Sequence, residues 1–293
     1  MRKDRTYLAA QFAAQHLLVF VGGLHRSGTT LLTHCVGKHP EASCFQNTNV
    51  SEDEGQHLQN VYPPGIAIGG PGRFGFSPEA HLTDQSRLVQ RDTGARLLHA
   101  WKPFWDCSRR VLVEKSPPNL VRARFLRAVF PNARFVMIVR HPIAVAVATQ
   151  KWCKTSLLSM LDHWVVCHQY FLQDASELRH VLLIQYEELV SNPAPVLERV
   201  FKFLDLRPID PLAEIRGGLN DRYIDQWQAF QENAQISHRL AEIEPYANAF
   251  GYSVISPRRT VPPSETVAGL LRGEVMSSPL LNYQPPNCQP LAS

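Results

Sequence analysis

The chain has 293 residues, of which 44% are hydrophobic and 19% are charged, and its formal net charge at pH 7 is +4. This length and composition are typical of a globular protein with one large α/β domain and a sizeable core. The mild charge indicates that any affinity for anions comes from a local cluster, and no apolar run approaches the roughly 20 residues of a transmembrane segment.

The first 16 residues predict a short amphipathic lead-in to the first strand. Basic residues precede apolar ones, but Gln11 and Gln15 interrupt the apolar part and no small-residue cleavage site follows, so a secretory leader is not favoured. The six cysteines show neither C-x-x-C pairs nor the spacing of metal ligands. Free thiols in a reducing compartment, and therefore a cytoplasmic protein, are the simplest prediction.

A phosphate-binding loop is predicted near the start of the chain. Residues 16–21 are apolar and β-branched, which predicts a buried parallel strand, and Thr29 begins a helical pattern that ends before His39-Pro40. Between them, Gly23 to Thr30 reads GLHRSGTT and matches G-x-x-x-x-G-K-[ST] except that Thr29 replaces the lysine. The order of strand, glycine loop and helix is the context that a phosphate loop requires.

The missing lysine limits what this loop can hold. The amides of Ser27, Gly28, Thr29 and Thr30 and the two threonine hydroxyls suit an anion at a helix N-terminus. Arg26 is the only fixed cation nearby, and its planar fork can bind two oxygens of a tetrahedral anion. We therefore expect a ligand with less charge than ATP and no metal ion.

Strands and helices alternate along the rest of the domain. This order predicts an α/β, P-loop-like three-layer fold, with a central parallel sheet of about 4–5 strands flanked by helices and ligands at the carboxyl ends of the strands. Residues 47–78, rich in Gly and Pro, are predicted to be a lid or substrate loop. We assign residues 17–256 to the domain and expect the Pro- and Ser-rich residues 257–293 to be largely disordered. Strands are predicted at 111–114, 134–139 and 181–185, and helices at 93–105, 119–129, 143–152, 157–178 and 195–204.

Two more cations follow predicted strands. Lys115 comes directly after the strand at 111–114, and Arg140 comes directly after the strand at 134–139. Because the ends of parallel strands share one edge of the sheet, both side chains are expected near the loop that carries Arg26. Three cations from three strand ends predict a pocket for an anionic ligand.

The motifs GLHRSGTTLL, EKSPPNLVRARFLRAVFPNARFVMIVRHP and VLLIQYEELVSNP resemble the signature regions of sulfotransferases that use 3′-phosphoadenosine 5′-phosphosulfate, abbreviated PAPS. The resemblance covers roughly residues 17 to 205 and is nearest to the protein-tyrosine sulfotransferase-like branch and its bacterial relatives. It implies that the loop residues named above bind the 5′-phosphosulfate and that Lys115 interacts with the leaving group. It also implies that Arg140 binds the 3′-phosphate and that Tyr186 contacts the nucleotide.

Two positions depart from the family pattern. Ala148 stands where relatives usually have a serine that binds the 3′-phosphate together with the arginine. The neighbouring Thr149 is the candidate replacement for this serine. Asn47 stands where tyrosine-specific enzymes have a catalytic glutamate. The acceptor needs a base, for which Glu54 is the first candidate, followed by His57 and then Asp53.

The predicted function is transfer of a sulfuryl group from PAPS to an acceptor hydroxyl on a small molecule, a glycan or a protein side chain. An ATP-dependent kinase of a small molecule and a non-catalytic nucleotide-binding scaffold are the alternatives. The basic residues of the predicted helix at 119–129 fall on different faces without interleaved aromatics, which disfavours nucleic acid. The secretory-pathway lumen is the alternative compartment, since relatives work in both. The five tryptophans are expected to fill the core or to line the acceptor cleft, and the core is favoured.

Overall fold

The computed structural model describes residues 11–209, 215, 218–228, 234–259, 261–274 and 278–285. Its centre is a parallel sheet of five strands in the order β2-β3-β1-β4-β5. The first strand lies between β3 and β4, with Val21 beside Lys115 and Gly23 beside Ile138. The loop after β1 therefore emerges between the ends of the strands that carry the other two cations. The strands are β1 Leu17–Gly23, β2 Ala42–Cys44, β3 Val111–Lys115, β4 Arg134–Val139 and β5 Val181–Gln185.

Helices cover both faces of this sheet. Successive residues of β1 point to opposite faces, so Phe20 lies in one buried cluster with Trp164 of α5, and Val21 lies in another with Leu32 of α1 and Val200 of α7. This arrangement confirms the predicted three-layer α/β fold. The helices are α1 Thr29–Gly37, α2 Thr93–Trp101, α3 Ala123–Val129, α4 Pro142–Gln150, α5 Leu157–Ala175, α6 Tyr186–Ser191, α7 Pro193–Phe203, α8 Leu219–Gln228, α9 Ala234–Ala249 and α10 Glu265–Leu271.

The predicted lid, residues 47–78, is a compact insert built from four short 3-10 turns. Gln56, Tyr62 and Phe74 are buried in it, and the indole N–H of Trp101 donates to the carbonyl of Gly55 at 3.0 Å. The insert is therefore anchored to α2 and to the body of the domain. The turns are Ser51–Asp53, Gly55–His57, Gly65–Ile68 and Phe74–Phe76.

The segment beyond residue 256, which the sequence predicts to be largely disordered, packs against the domain in the part that the structure describes. The hydroxyl of Ser264 accepts from the amide of Val267 and caps α10. Val267 is buried, and Tyr283 is buried too and donates its hydroxyl to Asp162 of α5 at 2.5 Å. These apolar and aromatic anchors are too widely spaced to give a period in the sequence. Residues 260, 275–277 and 286–293 lie outside the described residues, as do residues 1–10 of the predicted lead-in.

Within the described ranges, none of the helices is long and apolar enough to cross a lipid bilayer. The cysteines at 35, 44, 107, 153 and 167 are free, and Cys288 lies outside the described residues.

Candidate active site

The loop between β1 and α1 has the geometry of an anion site. Gly28 adopts a φ of 99°, and a Cβ at this position would lie 2.6 Å from Cδ2 of Tyr186. Only glycine fits there without displacing the tyrosine ring. Helix α1 begins at Thr29, and the amides of a first helical turn have no intrahelical partner. Ser27 is fully buried and its hydroxyl has no hydrogen-bond partner in the described chain, so the loop offers unused donors to an anion.

Arg26 contributes to this loop through both its backbone and its side chain. The residue has a φ of 67°, and its carbonyl accepts from Nη1 of Arg140 at 2.7 Å. Its guanidinium lies 4.8 Å from the ring centroid of Trp152, whose side chain is 51% exposed. Trp152 therefore does not lie in the core, which the sequence favours for the tryptophans, and covers the arginine at the rim of the site.

Lys115 ends β3 on the other side of the loop. It is only 4% exposed, and its ammonium donates to the carbonyl of Glu52 at 2.6 Å and lies 3.5 Å from Oε1 of Glu54. Together with Thr30 and the ring of Phe45 it lines a cavity of about 260 Å³. A buried ammonium at the edge of such a cavity can stabilise negative charge that develops inside it.

Arg140 follows β4 and is held on several sides. Its Nε donates to Oδ1 of Asn220 at 2.8 Å, and its guanidinium stacks over the ring of Tyr186 at 4.0 Å. Burial lowers the pKa of Arg140. Among the described contacts its Nη2 is buried without a partner. A buried cation with an unused donor is a fitting partner for a phosphate.

Glu54, the first candidate for the base, lies next to Lys115. It is 5% exposed, and its Oε2 accepts from Nε2 of Gln56 at 2.5 Å. Burial raises the pKa of Glu54, although Lys115 and Gln56 act in the opposite direction. A carboxylate with a raised pKa beside the loop suits a general base.

The pKa values of the two imidazoles near Lys115 are lowered, which favours the neutral form of each ring. Burial and the positive charge of Lys115 lower the pKa of His57, and the same causes lower the pKa of His25 to about 3. Nε2 of His57 lies 3.7 Å from Oε2 of Glu54.

Asp53 has a different environment from Glu54. Its Oδ1 accepts from both the amide and the hydroxyl of Thr48, at 2.8 and 2.6 Å. These hydrogen bonds lower the pKa of Asp53. Its carboxylate thus stabilises the turn and is a weaker base than Glu54.

Glu114 of β3 packs against Gly55 of the insert formed by residues 47–78. Its side chain is fully buried and accepts from the hydroxyl of Ser116 at 2.6 Å and from Nδ2 of Asn119 at 2.5 Å. Burial raises the pKa of Glu114 to about 7. Gly55 lies so close that a Cβ there would be 2.4 Å from Oε1 of Glu114. Strand β3, which carries Lys115, therefore also packs closely against Gly55, the residue that follows Glu54.

Thr149 and Tyr186 lie on the Arg140 side of the loop. The hydroxyl of Thr149 donates to the carbonyl of His25 at 3.5 Å, and the ring of Tyr186 lies between Gly28 and Arg140. Both residues thus contact the glycine loop or its neighbouring cation, and their roles as nucleotide ligands stay predictions.

Sequence reasoning missed the contribution of α8 to this site. Asn220 contacts Arg140 directly, and the ring of Tyr223 lies 5.5 Å from the same guanidinium. No motif marks this helix, and no element was predicted between residue 205 and residue 256. The sequence of this helix mixes aromatic residues such as Tyr223 with polar ones such as Asn220. Many surface helices have this composition, so it does not indicate a binding site.

The chain has a three-layer α/β fold with a glycine loop before helix α1, and comparison with known proteins gives its class. A profile described as "Sulfotransferase family" matches residues 19–211. Protein-tyrosine sulfotransferase 2 of Gallus gallus is 25% identical over 295 residues, covering 87% of this chain and 76% of that protein. Protein-tyrosine sulfotransferase A of Caenorhabditis elegans is 23% identical over 210 residues, and the match covers 64% of this chain but only 50% of that protein. The crystal structure of sulfotransferase STF1 from Mycobacterium tuberculosis superposes with a TM-score of 0.49 at 13% identity, covering 81% of each chain.

The chain belongs to the sulfotransferase family, because the family profile spans well over half of it. The protein is therefore a transferase of the sulfotransferase type. This finding confirms the resemblance seen in the three sequence motifs, while the roles of the individual site residues stay predictions.

Proposed function

We propose that the protein transfers the sulfuryl group of PAPS to an acceptor hydroxyl and releases adenosine 3′,5′-bisphosphate. The observation that carries the proposal is the buried Nη2 of Arg140, which has no partner among the described residues and lies beside a phosphate loop whose own lysine is missing. A ligand with phosphate groups at both ends of its ribose would use Arg140 at one end and the loop at the other.

The cosubstrate would bind across the end of β1. The amides at the start of α1 and the hydroxyls of Thr29 and Thr30 would hold the 5′-phosphosulfate. Arg140 would hold the 3′-phosphate, and Tyr186 would support that arginine from below. Arg26 would add its charge at the rim of the loop. No step in this scheme requires a metal ion, and its absence stays a prediction.

The chemistry is an in-line displacement at sulfur. Glu54 would take the proton of the acceptor hydroxyl while the acceptor oxygen forms a bond to sulfur. The bond between sulfur and the bridging oxygen breaks, and its electron pair stays on the 5′-phosphate. Lys115 and the loop amides would stabilise the charge that grows there.

The acceptor would enter through the cavity lined by Thr30, Phe45 and Lys115. Its volume of about 260 Å³ lies below the usual range for pockets that hold drug-sized ligands. We therefore expect the reacting part of the acceptor to be one ring or one side chain, and a small molecule, a glycan end or a protein side chain meets this condition. Cytoplasm is the proposed compartment, and the secretory-pathway lumen is the alternative.

Two rival functions remain as outcomes of the test. An ATP-dependent kinase is disfavoured by Thr29, which replaces the lysine that neutralises the outer phosphates of ATP. A non-catalytic scaffold would bind adenosine 3′,5′-bisphosphate without turnover. Incubation with sulfur-labelled PAPS and a broad panel of hydroxyl acceptors separates the three. Labelled product without added magnesium supports the proposal, whereas magnesium-dependent phosphate transfer from ATP, or tight nucleotide binding without any product, contradicts it.

Arg140→Ala should weaken the binding of adenosine 3′,5′-bisphosphate more than it lowers kcat. The variant removes a charged donor to the 3′-phosphate, which is worth about 1.5–3 kcal/mol, so Kd should rise by about tenfold or more. Isothermal titration calorimetry gives the Kd, and initial rates at saturating PAPS give kcat. An unchanged Kd would show that Arg140 does not bind this nucleotide.

Glu52→Gln should tighten the binding of PAPS. The carboxylate of Glu52 lies 3.4 Å from the hydroxyl of Thr30, so it is close to the place proposed for the anionic phosphosulfate. Removing this like charge should lower Kd by about threefold, with a larger effect at low salt. The matched control is Glu79→Gln, which changes an exposed glutamate directly after the insert of residues 47–78. This variant should leave Kd unchanged. Weaker binding by Glu52→Gln alone would mean that Glu52 assists the cosubstrate.

A further inference from the structure

The guanidinium of Arg140 has one orientation that the surrounding residues enforce. Nε donates to Asn220, Nη1 donates to the carbonyl of Arg26, and the planar group lies 4.0 Å from the ring centroid of Tyr186 and 5.5 Å from that of Tyr223. Only Nη2 lacks a partner in the part of the chain that the structure describes. Because the other two nitrogens are already hydrogen-bonded, Nη2 is the donor that remains for a ligand.

Asn220 is itself fixed by a second residue. Its Nδ2 donates to Oε1 of Glu187 at 2.5 Å, and its Oδ1 accepts from Arg140 at 2.8 Å. Because a carboxylate can only accept and a guanidinium can only donate, the amide fits between them in a single orientation.

Glu187 is held in turn by two other donors. Its Oε1 accepts from the amide of His141 at 3.0 Å, and its Oε2 accepts from the hydroxyl of Tyr252 at 2.7 Å. The contact to His141 follows from the sheet register. Val139 of β4 lies beside Gln185 of β5, so the segments that carry His141 and Glu187 leave the sheet at neighbouring points.

We infer that Glu187 and Asn220 form a relay that positions Arg140 to bind the 3′-phosphate of the nucleotide. This inference rests on the proposed function. Both are positioning residues, since neither needs to touch the ligand. Asn220 is the residue through which α8 contributes to nucleotide recognition.

The amide is better suited to this place than a carboxylate would be. A carboxylate on Nε would neutralise Arg140 and compete with the phosphate for its charge. Asn220 instead keeps the charge of Glu187 one residue away from the guanidinium. The buried cation then remains incompletely paired until an anionic ligand arrives, which favours a ligand carrying a second phosphate.

The test compares two nucleotides that differ only in the 3′-phosphate. Calorimetry on the full chain would give Kd for adenosine 3′,5′-bisphosphate and for adenosine 5′-phosphate with wild type, Asn220→Ala, Asn220→Asp and Arg140→Ala. Asn220→Ala should bind the bisphosphate about tenfold more weakly and the 5′-phosphate unchanged. Asn220→Asp keeps the shape of the side chain but should lose at least as much. Gln226→Ala, an exposed residue of the same helix, is the control and should match wild type.

A double variant gives a second readout. Once Arg140 is alanine, the relay has nothing to orient, so Asn220→Ala should cause no further loss. Equal losses for both nucleotides, or full affinity in Asn220→Asp, would show that Asn220 has only a structural role. If Arg140→Ala is selective for the bisphosphate and Asn220→Ala matches wild type, the relay is wrong but the proposed function stands. If Arg140→Ala is not selective, the assignment of the 3′-phosphate fails, and the relay fails with it.

Discussion

Lys115→Ala is expected to lower kcat by about a hundredfold or more. The ammonium is buried at the end of β3, 3.5 Å from the proposed base, where charge would develop on the departing 5′-phosphate. Removing one donor that stabilises such charge typically costs about 10²–10³ in kcat, or roughly 2.7–4 kcal/mol. Initial rates at saturating PAPS and acceptor, with the thermal midpoint checked alongside, measure the effect.

The control for Lys115→Ala is Lys202→Ala, which removes an exposed lysine that pairs with Glu198 on the surface of α7. Such surface pairs contribute little, so this variant should keep wild-type turnover. Lys115→Met retains most of the apolar stem and should lose as much activity as Lys115→Ala. A Lys115→Ala enzyme with more than about a tenth of wild-type kcat would remove this residue from the mechanism.

Glu54→Gln is expected to lower kcat by about 10²–10⁴, the range for loss of a general base. The variant keeps the shape of the side chain but cannot accept a proton. It should also change the pH profile. A base works only when ionised, so wild-type activity should be present above the pKa of Glu54 and fall as pH drops through it. Because burial raises this pKa, the fall should begin at a higher pH than for an exposed glutamate.

In Glu54→Gln that acid limb should disappear, leaving a low rate that is flat with pH. His57→Gln and Asp53→Asn are the matched controls, since both lie within three residues of Glu54. They should keep the limb and lose less activity. If His57→Gln loses the limb while Glu54→Gln retains it, the imidazole is the base.

The parts of the fold that have strong local patterns could be predicted from the sequence. Strands β1, β3, β4 and β5 each contain an apolar run, and those of β1, β3 and β4 are buried on both faces. Strand β2, Ala42–Cys44, was missed because three residues give no pattern. The contacts of residues 261–274 and 278–285 were missed because single residues such as Val267 and Tyr283 carry them.

Only the site residues that lie at or near the ends of strands could be predicted from the sequence. Arg26, Lys115 and Arg140 were placed at one edge of the sheet because parallel strands end there, and the structure brings them to that edge on both sides of the loop. Asn220 reaches Arg140 across 80 positions of sequence, so no local pattern could reveal it. The exposed position of Trp152 depends on the path of the chain after α4, which composition does not determine.

A crystal structure of the protein with adenosine 3′,5′-bisphosphate tests the central claim most directly. We expect the 5′-phosphate within hydrogen-bond distance of the amides of Gly28 to Thr30 and near Lys115, and the 3′-phosphate on Nη2 of Arg140. The amide of Ser27 already donates to the carbonyl of Leu24 at 3.0 Å. A nucleotide bound elsewhere, or bound with its 3′-phosphate facing solvent and away from Arg140, would contradict the account.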